Sequence, residues 1–232
     1  MRSFPGGVGL TDLRAYDGGG TPHLHLVCSE TYVVIGGSGA VETLSQAGPA
    51  RIPLEPGTVV TFAPGTIHRA VNDGDLHVVV VMDNSGLPEA GDAVMTFPPE
   101  VLATRESYDA VADLTVPGNS PERRRERALE GYSALLRAAQ EGDLRPFETF
   151  LRAAVRLIAP KLDDWRDVVE RSVGASLERS LQRLRALRAH DIGDFASAGH
   201  ETIEPSGART PGMCGLLVRY DAIRGGRNEG AE

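Results

Sequence analysis

Between Leu10 and Met82 short apolar runs alternate with polar positions at a period of two, and Gly and Pro separate the runs. This pattern predicts strands over Leu10 to Tyr16, His23 to Cys28, Glu30 to Ile35, Val41 to Leu44, Thr58 to Phe62, His68 to Val71 and Leu76 to Met82. So many short strands punctuated by turn residues point to a barrel or a sandwich. After Asp113 the period changes. Ser120 followed by Pro121 is a helix-start signal, Leu129, Tyr132, Leu135, Leu136 and Ala139 fall at helical spacing, and Gly142 closes the segment. Phe147 to Ile158 gives a second amphipathic helix that stops at Pro160, and Trp165, Val169, Val173, Leu177, Leu181, Leu184 and Leu187 give a third. Met213 to Tyr220 reads as a late strand whose simplest home is an edge of the barrel sheet. The chain therefore divides into a barrel over residues 1–105, a helical region over 106–200 packed on the barrel, a late strand within 201–224 and a disordered tail over 225–232.

The strand region holds a concentration of metal-ligating side chains. His23 and His25 are two apart, so in a strand both imidazoles leave the same face and reach one ion. Glu30 follows a short polar segment and opens the next run, which ends in the turn signal Gly36-Gly37-Ser38-Gly39. Adjacent strands then bring its carboxylate beside the histidine pair. Ala63-Pro64-Gly65 forms a tight turn, and His68 behind it supplies a fourth ligand. Cys28 lies on the face opposite the histidines and is not expected to ligate.

These residues resemble the two motifs of the cupin superfamily. The first is matched by Gly18 or a neighbour, His23, His25, Glu30 and Gly37, and the second by Gly57, Gly65, His68 and Asn72. One departure occurs: the proline expected two positions before the glycine is Ala63, with Pro64 shifted by one. The resemblance spans roughly Leu10 to Met82. It implies a mainly β fold, a double-stranded β-helix or jelly-roll barrel with the ion inside its mouth, to which the helical segment is added. The motif pair occurs once, so a single barrel is expected.

Three imidazoles and a carboxylate suit one divalent transition ion, with Fe the first choice and Mn, Ni, Cu or Zn as alternatives, and disfavour Mg or Ca. In an octahedral shell four protein ligands leave two open positions, which a catalyst needs and a structural metal does not. The resemblance implies an oxygenase, most simply a dioxygenase; Glu30 and Tyr32 are the candidate catalytic residues, with barrel core as the equal alternative for Tyr32. Tyr32 enters because alternation puts it on the Glu30 face. A redox-neutral isomerase, epimerase or lyase acting on a sugar or hydroxy acid uses the same open positions, and a non-catalytic small-molecule binding protein is the third reading.

Other residues near the site divide by face. Arg69 is expected at the rim or surface, and Asn72 in a turn-holding role. His77 falls on either face. The segment from Asp83 to Asp92, with carboxylates at Asp83, Glu89 and Asp92, reads as a solvated connector ahead of a cap over the barrel mouth.

Charge and composition narrow the partners. A formal charge of -8 argues against nucleic acid, and the basic cluster from Arg123 to Arg127 is interrupted by Glu126. Two cysteines do not make a secreted disulfide scaffold. No apolar stretch approaches the ~20 residues of a membrane helix, and the N-terminus lacks the apolar core of a signal peptide. A cytoplasmic homodimer with a small-molecule substrate, and with no membrane partner, is the resulting expectation.

Overall fold

The computed structural model describes residues 4–196 and 198–220. Its strands are β1 (Gly9–Ala15), β2 (His23–His25), β3 (Glu30–Ser45), β4 (Gly48–Leu54), β5 (Val59–Phe62), β6 (Ile67–Met82), β7 (Ala93–Met95), β8 (Thr210–Pro211) and β9 (Gly215–Tyr220). All of their pairings are antiparallel, in the order β4-β3-β6-β1-β9-β8, with β5 on β3, β2 on β6 and β7 on β2.

Two long strands, β3 and β6, roll this sheet into a barrel. Each spans a segment that the sequence divides into two strands at a turn. The glycine-rich stretch does not end the pairing; it bends both strands together, through register shifts between Val34 and Gly39. Gly37 has φ +70°, and a Cβ there would lie 2.2 Å from the Asp75 carbonyl oxygen, so close approach of the two bent chains requires glycine. Asn72 secures the other half of the bend. Its Oδ1 accepts from the Gly74 and Leu76 amides at 3.1 and 2.9 Å, and its Nδ2 donates to the Ala15 carbonyl.

Inside the barrel, alternation holds: Tyr32 and Val34 are buried with Leu13, Val78 and Val80, while Ile35 is exposed. His77 therefore lies on the outer face, where its Nε2 meets Asp12 Oδ2 at 2.7 Å. β4 has no counterpart among the expected strands because Pro49 and Pro53 argue against one. Both are tolerated because β4 is an edge strand. Within 201–220, strand structure is limited to β9, which pairs with β1 from Leu10↔Tyr220 to Ala15↔Gly215, and to the two-residue β8. The tail expected over 225–232 lies outside the described residues.

The helices are α1 (Arg105–Ala112), α2 (Pro121–Gln140), α3 (Arg145–Ile158), α4 (Leu162–Val169) and α5 (Ala175–Arg188). Ser120 caps α2 by accepting from the Arg123 amide, with Pro121 in the first turn. At eight residues α1 is too short for its apolar period to announce it. It is started by a capping box between Thr104 and Ser107 and anchored by buried Tyr108. A second core joins helices to barrel: Leu24, Leu44 and Ile67 of the strands pack in one cluster with Ala128, Phe147 and Trp165. Burial of each large side chain there contributes about 1.5–3 kcal/mol.

The third predicted helix departs from its pattern. A π-turn over Glu170–Gly174 inserts an extra residue and rotates the face, so beyond it Leu177, Leu181, Leu184 and Leu187 are 40–63% exposed instead of buried.

Gly131 lets α2 approach the segment that follows β7, since a Cβ there would lie 2.0 Å from the Thr96 carbonyl oxygen. Helix propensity alone makes Gly131→Ala stabilising by about 1 kcal/mol. The clash reverses the sign, and we expect a net loss of roughly 1–3 kcal/mol by denaturant unfolding. A stabilised Gly131→Ala protein would mean that α2 does not sit on the barrel in this way.

Candidate metal centre

The sheet assembles the four expected residues on one interior patch. β2 places His23 opposite His68 of β6, and Glu30 opens β3 opposite Phe62 and Met82. One ligand atom from each of His23, His25, Glu30 and His68 falls within 4.8 Å of every other, and all four residues are buried. Such a cluster can hold a metal ion.

Each imidazole is set from behind. His23 Nδ1 donates to the Thr21 carbonyl at 2.8 Å and His68 Nδ1 to the Thr66 carbonyl at 3.1 Å. A carbonyl only accepts, so these bonds put a proton on Nδ1, and in the neutral imidazole they leave Nε2 as the atom free to ligate. His25 Nδ1 lies 3.7 Å from Asp92 Oδ2, a charge contact longer than a hydrogen bond. In front, Glu30 Oε2 sits 3.2 Å from His25 Nε2 and 2.9 Å from His68 Nε2. Despite that short separation, Glu30 Oε2 and His68 Nε2 are fully buried with no aligned hydrogen-bond partner. A proton and a metal ion are alternative occupants of the space between these two atoms, and a shared cation satisfies both. Three imidazoles and one carboxylate fit a transition ion.

Electrostatics around the cluster agree with its geometry. Burial, followed by the proximity of His68 and His25, holds His23 well below the ordinary histidine value, keeping it neutral as a ligand must be. For Glu30, burial works toward the neutral acid, but His68 and His25 outweigh it and keep the carboxyl well below its usual range. Burial likewise opposes charge on His25, yet Asp92 and Glu30 raise it to about 9. A proton and a cation therefore compete for that imidazole.

Asp92 is the residue the sequence does not reveal. It is wholly buried, its Oδ1 accepting from the Leu26 and Val27 amides at 3.0 Å each and its Oδ2 from the Cys28 amide at 2.7 Å. Asp83 Oδ1 accepts from the Ser29 amide at 2.9 Å. The reading of Asp83 to Asp92 as a solvated connector is thus corrected: the segment grips the turn between β2 and β3 that carries His25 to Glu30. Its polar composition hides this because the partners are backbone amides distant in sequence.

A cavity of about 1000 Å³ opens onto the cluster and is lined by His23, His25 and Glu30 together with residues from the helices and the late strand. Tyr32 lies on the Glu30 face, but its hydroxyl donates to Cys214 Sγ at 3.2 Å, and Cys214 rather than Tyr32 faces the cavity. The Tyr32 side chain is fully buried in the barrel core. Burial pushes the Cys214 thiol up to about 11. Cys28 is buried in the barrel–helix core, away from the ligand cluster, and Arg69 sits near the rim, 3.7 Å from Glu42.

Fold and ligand set together define an antiparallel β-barrel whose interior carries a centre of three histidines and one glutamate. Residues 13–82 match the family model of the cupin domain. The chain carries a cupin domain over these residues. A stretch of 48 residues is 48% identical to a glucose-6-phosphate isomerase of Pyrococcus abyssi, a match that covers 20% of this chain and 25% of that protein. Similar solved structures include a double-stranded β-helix protein of Klebsiella pneumoniae, at 20% identity over 35% of this chain and 68% of that one, with a TM-score of 0.28. Another is the cupin domain of Drosophila melanogaster CENP-C, at 20% identity over 33% of this chain and 58% of that one, also with a TM-score of 0.28. Among the described residues no helix is long and apolar enough to cross a membrane.

Proposed function

We propose that this chain is a metal-dependent enzyme that acts on a small molecule held in the cavity beside His23, His25, Glu30 and His68. The observation that carries the proposal is the convergence of buried Glu30 Oε2 and His68 Nε2, 2.9 Å apart and without an aligned hydrogen-bond partner, beside a cavity that His23, His25 and Glu30 line. When bound, a transition ion supplies Lewis acidity or redox chemistry at positions the four side chains leave open. The chain's own part is to orient the imidazoles through Thr21 and Thr66, to keep Glu30 ionised, and to enclose the substrate between barrel and helices.

Of the two chemistries, a dioxygenase using Fe is the first reading, because an octahedral ion held by these four residues would have room for both a substrate and dioxygen. A redox-neutral isomerase is the second, favoured by the local 48% identity to a glucose-6-phosphate isomerase. Oxygen-electrode measurements on Fe(II)-loaded protein with a panel of hydroxy acids and sugar phosphates, paired with product analysis under argon, separate them. The oxygenase reading expects oxygen uptake that matches product formed and no turnover under argon. Isomerisation of glucose 6-phosphate that proceeds equally under argon would overturn it in favour of the second.

A further inference from the structure

Arg124, in the first turns of α2, faces the same cavity as the metal ligands and is 8% exposed. A buried guanidinium ordinarily has a carboxylate beside it, because an unpaired buried charge is costly. Among the described residues Arg124 has none. Nη2 donates to the Gly212 carbonyl at 2.7 Å, and Nε, fully buried, has no partner. The titratable groups that face it are Tyr16, Tyr108 and Cys214. Burial raises all three, Tyr108 to about 12 and Cys214 to about 11, so none is an anion at neutral pH.

The other cations around the cavity differ. Arg105 is matched by Asp109 and Arg219 by Glu89, while Lys161, only partly buried, donates to the Ala90 carbonyl. In a chain of net charge -8, one cavity cation is both sequestered and uncompensated.

We propose that Arg124 anchors an oxyanion, the carboxylate or phosphate group of the ligand that the cavity takes. A guanidinium offers five N–H donors in a planar fork that matches such groups in paired hydrogen bonds. This deepens the functional reading above by giving the substrate a negative charge, and it places the helical region in the binding site, since α2 supplies the anchor.

The test uses the full chain stripped of metal, with chelator removed, so that its outcome is independent of whether the cluster holds an ion. Calorimetric titration with inorganic phosphate, and separately with acetate and succinate, should show binding of at least one anion class. Phosphate alone would identify a phosphoryl ligand, the carboxylates alone a carboxylate ligand, and either supports the proposal. Arg124→Met should weaken that binding at least tenfold and Arg124→Lys severalfold, while the exposed Arg137→Met leaves it unchanged. In anion-free buffer Arg124→Met should melt at or above the wild-type temperature, since it removes an unpaired buried charge. Should the Met variant fail to fold, the Lys variant decides. Absence of binding to wild type, or equal binding by a folded Arg124 variant, overturns the proposal.

Discussion

Replacing Asp92 with alanine is expected to destabilise the protein by about 3 kcal/mol, because it leaves three amides without their acceptor, that of Cys28 buried and those of Leu26 and Val27 partly buried. Those bonds are charge-assisted. Asp92 stays ionised despite burial, because His25 and the amides of Cys28 and Leu26 outweigh the desolvation that opposes its charge. In a chain of this size such a loss lowers the melting temperature by roughly 6–12 °C. A second effect is separable. Asp92 Oδ2 also stands behind His25 Nδ1, so loosening it should weaken transition-metal affinity about 10–100-fold, the usual range for a group that orients a ligand from behind. Asp92→Asn keeps the shape and one acceptor oxygen but loses the charge. It should recover part of the stability, since its one oxygen can still accept from the Leu26 and Val27 amides, and little of the affinity. Thermal melts and competition with a metallochromic chelator measure the two quantities. An alanine variant that melts with wild type would show that Asp92 does not hold the β2–β3 turn.

The histidine pair and its neighbours were legible because alternation is local: two residues apart in a strand means one face, and that is how His23 and His25 stand. Glu30 and Tyr32 follow the same rule. What alternation does not carry is where a hydroxyl finds its partner, and Tyr32 finds Cys214, which lies 182 residues away. Asp92 is similar, lying 66 residues from Leu26 in a segment whose Gly, Pro and acidic content reads as solvated. Arg124 sits in a basic run whose neighbours are at the surface, and only the placement of α2 against the barrel turns it inward. Strand number was harder than strand location. β4 is masked by its prolines, β7 is three residues long, and the long strands β3 and β6 bend where a turn was expected. The π-turn after α4 has no sequence signature, so the apolar stripe continues in the sequence while its face rotates in space.

Metal content is the most direct check on the whole account. Protein purified from cells grown with trace metals, then dialysed, should carry about one transition ion per chain, as a single cluster of His23, His25, Glu30 and His68 provides. Elemental analysis of a His23→Ala/His25→Ala variant should find that ion lost, since two of four ligands are gone from the face that β2 presents. Circular dichroism must show the same secondary structure in both proteins for the comparison to bear on the site. A folded double variant with the wild-type metal content would contradict the assignment of the centre, and the function proposed for the chain with it.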